Sequence, residues 1–390
     1  MKKSMIVAAM LAMVATGANA KSATDSATIA KNKPVFTVVK QNPITSIKDQ
    51  NRSGTCWAYS TLSYFESEIL KHTGKTYDLS EMFVANKTYM DRATMAVRMH
   101  GDVSFSQGGS AYDVLYALQH YGIVPEGAMP APGTLTGDSL ANFGEFFDVM
   151  TPYVEAVAKS NAKKISSAWK SGLQGIIDSY IGKTPEKFTY QGKQYTPQSF
   201  CQSLGLNLDD YVTITSYTHH PMWSKFAVEV QDNWRWPLSY NVPMDDLCKI
   251  IDNAINNGYT IAWGGDVTED GFTRKGLGIA YDVKKVRSMA GTDADHWFKL
   301  SKDEKKEKFD SLGVNAPEVV PTQAMRQEAF DNWETTDDHG MHIYGIAKDQ
   351  NGKEYYMVKN SWGEYGDYKG TWYTVSYTHL RAHETLSDLV

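Results

Sequence analysis

Cysteine is scarce in this sequence, with three residues, Cys56, Cys201 and Cys248, in a chain of 390. So few cysteines exclude a scaffold built on disulfides, and a chain of this length can bury a substantial apolar core instead. Cys248 falls in an amphipathic pattern between Met244 and Ile251, which favours a core thiol. A disulfide between Cys201 and Cys248 is the less favoured alternative.

The sequence also has no excess of basic over acidic residues. The 39 Lys and Arg residues stand against 45 Asp and Glu residues, which gives a formal net charge of -6 with both signs interspersed along the chain. Without clustered positive charge there is no electrostatic footprint for a phosphate backbone. Nucleic acid is therefore not an expected partner.

Long apolar runs are missing as well. The apolar run at 5–14 follows two lysines and is too short to span a bilayer, and no other stretch is apolar enough to anchor the chain in a membrane. With the Ala-Asn-Ala cleavage site at 18–20, residues 1–20 are typical of an export signal. We expect a mature chain that begins near Lys21, has no membrane anchor and is periplasmic or secreted.

Periodicity and capping signals predict the main elements. Helices are predicted over 56–72, 80–98, 111–121 and 244–256, with long helices between 140 and 181 that Pro152 is expected to break or kink. Strands are predicted at 35–39, 212–215, 226–230, 259–263, 339–347, 355–359 and 370–374. The predicted strands are rich in β-branched and aromatic residues.

The most informative stretch is 50–66, which reads QNRSGTCWAYSTLSYFE. After a flexible Ser-Gly-Thr entry, apolar residues recur at helical spacing, which places Cys56 at a helix N-terminus. Unpaired backbone N–H groups and the positive end of the helix macrodipole favour an anion there. We therefore expect the Cys56 thiol to ionise more readily than a free cysteine and to act as a nucleophile.

A cysteine nucleophile also needs a base, a group that orients the base, and donors for an oxyanion. One residue is available for each role: His339 in DDHGMH, Asn360 in VKNSWG, and Gln50 shortly before Cys56. His342 competes with His339, but an offset of three along a strand points its side chain to the opposite face. His339 is the predicted base.

These motifs resemble those of the papain-like cysteine peptidases. The motifs that follow the order of that family are Gln50, GTCW at 54–57, QGG at 107–109, DHGM at 338–341 and NSWG at 360–363. The Ser-Gly before Cys-Trp and the WGGDV segment at 263–267 are similar to the bleomycin hydrolase and aminopeptidase C branch. The resemblance covers nearly all of the mature chain.

The resemblance implies a two-lobed α+β fold, with a helical lobe around the helix of Cys56 and a lobe with an antiparallel, barrel-like sheet. It implies a peptidase domain over 21–374 with a helical insertion at about 135–208, peptide substrates and no cofactor. The matching glycines of the family bind substrate backbone, so Gly108, Gly109 and Trp362 are placed at the substrate site. The insertion could shape the groove or join subunits of a homo-oligomer.

The C-terminal residues bear on the type of peptidase. In the bleomycin hydrolase branch the chain's own C-terminus lies in the groove, where its carboxylate receives the free amine of the peptide. Here VSYTHLRAHET at 375–385 is similar to the conceptual translation of a sequencing adapter. We therefore predict that 375–390 is a non-native tail, with a genuine polar tail as the alternative.

Three functions follow in order of preference. The resemblance favours an exported aminopeptidase, and an endopeptidase with an open groove is the first alternative. A papain-fold binding protein without catalysis is the second. It is disfavoured because Gln50, Cys56, His339 and Asn360 are all present.

Adjacent histidines, His219 and His220, raise the question of a metal. Adjacent side chains rarely face one ion, and no third ligand is close to them in the sequence. The sequence therefore predicts no metal site.

Overall fold

A computed structural model describes residues 34–132, 140–268, 271–273, 275–282, 285, 301, 304, 315–376 and 384–388. The predicted export signal at 1–20 lies outside these residues. The described helices are α1 (Cys56–Thr73), α2 (Glu81–Arg98), α3 (Ala111–Tyr121), α4 (Gly144–Ala158), α5 (Ala168–Tyr180), α6 (Pro197–Ser203), α7 (Met244–Asn256) and α8 (Gln323–Asp331). None of these helices is both long and apolar enough to cross a membrane.

The described strands are β1 (Thr37–Gln41), β2 (Phe188–Tyr190), β3 (Lys193–Tyr195), β4 (Tyr211–Thr215), β5 (Ser224–Phe226), β6 (Ser239–Asn241), β7 (Ile261–Gly265), β8 (Phe272–Thr273), β9 (Leu277–Gly278), β10 (His339–Lys348), β11 (Glu354–Lys359), β12 (Thr371–Val375) and β13 (Glu384–Asp388). Helices therefore dominate the first half of the chain and strands the second. This is the predicted α+β arrangement.

The chain divides into two compact units. Of the described residues, the smaller one takes 34–37, those within 279–320, and Lys348–Lys353, and the backbone N–H of Val319 donates to the carbonyl oxygen of Ala280 within it at 2.9 Å. The larger unit takes the described residues within 38–278, 321–347 and 354–390. All the predicted site residues belong to the larger unit.

Helix α1 is the buried centre of the larger unit. Every residue from Trp57 to Ile69 is buried, because apolar and small side chains occur on all sides of the helix. The helix ends at Gly74, which has a left-handed φ of 68° and donates its N–H to the carbonyl oxygen of Leu70. The predicted helix over 56–72 is thus confirmed to within one residue.

Helices α2 and α3 also begin where the capping signals place them. The Ser80 hydroxyl accepts the N–H of Phe83 at the start of α2, and the Asp113 carboxylate accepts the N–H of Ser110 at the start of α3.

In the insertion, α4 continues through Pro152. A small hairpin, β2–β3, turns at Gln191 and Gly192, which both have positive φ, so the insertion is not wholly helical.

The strands outside that hairpin form one sheet in the order β5-β6-β4-β13-β7-β10-β11-β12-β9-β8, with β1 on β10. Most neighbours are antiparallel, while β4 with β6 and β9 with β12 are parallel. The described strands do not close into a barrel. The predicted barrel-like lobe is therefore an open, mainly antiparallel sheet.

The strand predicted at 226–230 is wrong beyond Phe226. The backbone N–H of Val230 donates to the carbonyl of Val228, and the Asn233 side chain donates to that same carbonyl at 2.9 Å. These local bonds use groups that a strand would offer to a neighbouring strand. The segment therefore turns after β5 and carries Asp232 to the cavity described below.

Two further expectations concern the cysteines and the tail. No disulfide joins Cys201 to Cys248, and the Cys201 sulfur lies 3.7 Å from the carbonyl oxygen of Leu118. Strand β13 inserts the backbone of Glu384–Asp388 between β4 and β7. The non-native origin of 375–390 stays a prediction.

Candidate active site

Cys56 is the first residue of α1 and is half-buried. Thr55 precedes it without a side-chain cap, and the Thr55 carbonyl accepts the N–H groups of Ala58 at 2.9 Å and Tyr59 at 3.1 Å. Desolvation raises the pKa of the thiol to about 12, and the backbone N–H groups of Gly340 and Trp57 offset only part of this rise. The expectation of a readily ionised thiol is therefore wrong for the thiol taken alone, because burial outweighs the helix N-terminus.

His339 is the first residue of β10, and its ring is oriented by Asn360. The Nε2 atom lies 2.8 Å from Asn360 Oδ1, which also accepts the backbone N–H of Ser361 at 2.7 Å. Since a backbone N–H can only donate, the shared atom must be the amide oxygen, and Nε2 must carry the imidazole proton. The Nδ1 lone pair is left as a proton acceptor.

The imidazole of His339 is also buried. Burial lowers its pKa to about 4, although the hydrogen bond that Nε2–H donates to Asn360 acts in the opposite direction. Trp362 covers the ring, with 4.8 Å between ring centroids, and packs in turn on Trp372. A lone imidazolium and a lone thiolate are each costly here, so charge separation has to produce both together.

Strand β10 reaches α1 through Gly340. A Cβ atom on Gly340 would lie 2.7 Å from the Ser60 hydroxyl and 3.2 Å from the Trp57 Cα atom, too close for any side chain. Because the backbones approach this closely, Cys56 and His339 line the same cavity, of about 220 Å³. The structure therefore places the predicted nucleophile and base in the lining of one cavity.

Gln50 is held beside the start of α1 by hydrogen bonds to Ser361 and Ser53. Its side-chain oxygen accepts the Ser361 hydroxyl at 2.6 Å, its backbone N–H donates to the Ser361 carbonyl at 2.8 Å, and its amide nitrogen donates to the Ser53 carbonyl at 2.7 Å. An amide nitrogen carries two protons, so one remains for another acceptor. Sequence reasoning missed Ser361, although it lies inside the NSWG motif.

Gly108 and Gly109 line the same cavity as Cys56. A Cβ atom on Gly108 would lie 2.0 Å from an Asp232 carboxylate oxygen, and one on Gly109 would lie 2.8 Å from the Trp57 ring. Both glycines are therefore needed for packing, whether or not they also bind substrate backbone. Trp362 contacts His339 and is not among the residues that line this cavity.

Arg92 supports this wall of the cavity from behind. It is fully buried in α2, and its guanidinium donates to the carbonyls of Gly108 at 2.6 Å and Ser104 at 2.9 Å and to the Asp232 carboxylate at 3.1 Å. Sequence reasoning missed both charged residues. The only signal in the sequence was the charge of Arg92 among the buried positions of α2. Asp232 lies in no motif.

His342, the competing histidine, lies in the core. Its Nδ1 is 2.9 Å from the Ser63 hydroxyl, its ring meets Tyr64 edge-on, and burial lowers its pKa well below the usual value. It does not line the cavity that contains Cys56. The alternation along β10 therefore separates the two histidines as predicted.

Comparisons with known proteins complete this description. A sequence model described as the Peptidase C1-like family matches residues 2–333. The chain is 23% identical to aminopeptidase G of Lactobacillus delbrueckii subsp. lactis over 365 residues, 84% of this chain and 77% of the relative. It is 24% identical to aminopeptidase C of Lactobacillus helveticus over 381 residues, 86% of this chain and 78% of the relative.

The fold also has a match among solved structures. The crystal structure of PepW from Lactobacillus rhamnosis HN001 is similar with a TM-score of 0.66 and 19% sequence identity, over 93% of this chain and 84% of that chain. The two chains therefore share a fold. The predicted α+β, papain-like fold class is confirmed.

Proposed function

The chain belongs to the Peptidase C1-like family, and from this premise we propose that it is an exported cysteine aminopeptidase whose site consists of Cys56, His339, Asn360 and Gln50. The observation that carries the proposal is the cavity that Cys56 and His339 share, with Asn360 fixing the imidazole tautomer. Two relatives named as aminopeptidases support the exopeptidase part.

The proposed reaction begins with proton transfer from the Cys56 thiol to Nδ1 of His339. The resulting thiolate attacks the scissile carbonyl carbon, and the oxyanion accepts hydrogen bonds from the Gln50 amide and the Cys56 backbone N–H. The imidazolium then protonates the leaving amine, which departs and leaves an acyl-enzyme. His339 finally activates a water molecule that releases the acyl group and restores the thiol.

Asn360 maintains the geometry of this cycle. Its amide oxygen holds Nε2–H, so Nδ1 remains the atom that exchanges the proton with sulfur. Trp362 covers the His339 ring and limits access of water to the His339–Asn360 hydrogen bond. The buried site therefore favours transfer of one proton within the pair over ionisation of either group alone.

An amino-blocked peptide tests the aminopeptidase assignment. We expect a free peptide to lose residues from its N-terminus, and the N-acetylated peptide of the same sequence to be cleaved about 30- to 150-fold more slowly, because a lost charge-assisted contact costs roughly 2 to 3 kcal/mol. Mass spectrometry of timed digests would measure both.

The control is Cys56→Ala protein in the same assay, which should leave both peptides intact. Internal cleavage of the acetylated peptide at a rate similar to that of the free peptide would instead support the open-groove endopeptidase. No cleavage of either peptide by any preparation would contradict both peptidase assignments for these substrates.

We further propose that the chain is exported. The support is the N-terminal sequence, in which two lysines precede the apolar run 5–14 and a small-residue cleavage site ends at Ala20. Protein recovered from the periplasm or medium of a bacterial host should begin at Lys21 by intact-mass analysis. Recovery only from the cytoplasm with residues 1–20 retained would argue against export.

A further inference from the structure

Three potential metal ligands meet at the surface of the larger unit. His219 Nε2 lies 3.0 Å from one carboxylate oxygen of Glu229, and His220 Nε2 lies 3.0 Å from the other. Among the described residues these three side chains form a group whose ligand atoms all lie within 4.8 Å of one another. The sequence argued against a metal because no third ligand was in view, and the turn after β5 supplies that ligand.

Aromatic packing holds both imidazoles in place. His220 stacks on Phe226 at 4.2 Å between centroids, and His219 meets the same ring edge-on at 5.5 Å. His219 also stacks on Phe330 at 5.6 Å. Two adjacent histidines, which would normally point apart, therefore face one carboxylate, and little rotamer freedom remains to be lost when a ligand binds.

The remaining nitrogen of His219 has a partner that suits either tautomer. Its Nδ1 lies 3.0 Å from the Gln327 amide nitrogen and 3.3 Å from the amide oxygen. When Nε2–H donates to Glu229, Nδ1 can accept from the amide nitrogen. When Nε2 gives its lone pair to a metal, Nδ1–H can donate to the amide oxygen, which is the outer-shell bond that metal-bound histidines usually make.

The carboxylate is suited to a cation. Each of its two oxygens lies 3.0 Å from an imidazole nitrogen, so both are directed toward the histidines. The Glu229 side chain is 55% exposed, so an ion from solution can reach it.

We propose that His219, His220 and Glu229 form a binding site for a divalent zinc-class cation. Two imidazole nitrogens and one carboxylate oxygen make a donor set that zinc uses, with water in the fourth position. Ligand atoms bound to one zinc ion lie about 3.4 Å apart, given bonds of about 2.0 to 2.2 Å and tetrahedral angles. The observed 3.0 Å separations between His nitrogens and Glu oxygens would expand slightly, and the widest separation in the group, at most 4.8 Å, would contract.

Zinc binding to the full chain tests this site. The experiment uses Cys56→Ser protein, because a thiol and imidazole at Cys56 and His339 could bind zinc themselves. After chelator treatment, ZnCl2 is titrated in competition with a chromogenic chelator. We expect one zinc ion per chain, and dissociation constants at least about tenfold larger in His220→Ala and in Glu229→Gln, since loss of a ligand should cost at least as much as loss of a supporting bond.

His72→Ala is the matched control, because His72 is also exposed and pairs with a carboxylate, Glu68 at 3.6 Å, but belongs to no such group. It should bind zinc as the parent does. Zinc should also raise the unfolding midpoint of the parent and of His72→Ala but not of Glu229→Gln, which retains the shape of the side chain. A parent that binds no zinc, or a Glu229→Gln variant that binds it as tightly as the parent, would overturn the proposal.

Discussion

Cys56→Ala is expected to lower kcat/KM for peptide hydrolysis by at least about 10⁴-fold, because the proposed acyl-enzyme forms on the Cys56 sulfur. The measurement is the rate of release of a fluorogenic amine from an aminoacyl amide. Iodoacetamide labelling followed by peptide mass mapping should show loss of the selective modification in the same variant.

Cys248→Ala is the matched control for this prediction, since Cys248 lies in α7 and does not line the cavity of Cys56. It should retain full activity. The kcat/KM of His339→Ala should fall nearly as far as that of Cys56→Ala. The kcat/KM of the double variant should fall no further, because the two residues act as one unit. Additive losses, or substantial activity in purified Cys56→Ala, would refute the assignment of the nucleophile and base.

Arg92→Met is expected to lower the free energy of unfolding by about 2 to 3 kcal/mol, because two carbonyls lose a charged donor while the Asp232 side chain, 25% exposed, stays partly solvated. The substitution leaves the Asp232 carboxylate without its counter-ion and the carbonyls of Gly108 and Ser104 without their side-chain donor. Equilibrium urea unfolding would measure the loss. KM should also rise, because this wall of the cavity depends on Gly108.

Arg98→Met is the matched control, because Arg98 ends the same helix and is exposed. Its effect should stay within about 0.5 kcal/mol. Asp232→Asn, which retains an acceptor for Arg92, should cost less than Arg92→Met. Equal stability of Arg92→Met and Arg98→Met would show that the buried guanidinium does not stabilise the cavity wall at Gly108.

Much of the helical part could be predicted because its signals are local. The start of α1 at Cys56, its end at Gly74 and the Ser80 cap depend on residues within a few positions of each boundary. The strand beyond Phe226 was mispredicted because β-branched composition does not determine which donor binds the carbonyl of Val228. The order of the strands in the sheet could not be predicted either, because composition does not determine which strands pair.

For the candidate site, too, some residues could be predicted from the sequence and others could not. Motifs made Cys56, His339 and Asn360 the predicted site residues, since each lies in a short pattern that can be recognised from its neighbours. Arg92 and Asp232 were missed because they lie far apart in the chain and act only through the contact between them. No pattern within either segment marks that pair.

By itself, the amino-acid sequence determined the helix that begins at Cys56, the strand that begins at His339 and the residue types a thiol peptidase requires, because these follow from spacing and neighbouring residues. Only the tertiary structure decided how closely Gly340 lets that strand approach the helix and how strongly desolvation opposes ionisation of the thiol. It also decided that Glu229 meets two adjacent histidines. Close approach and desolvation depend on atoms from distant parts of the chain, so no local pattern can encode them.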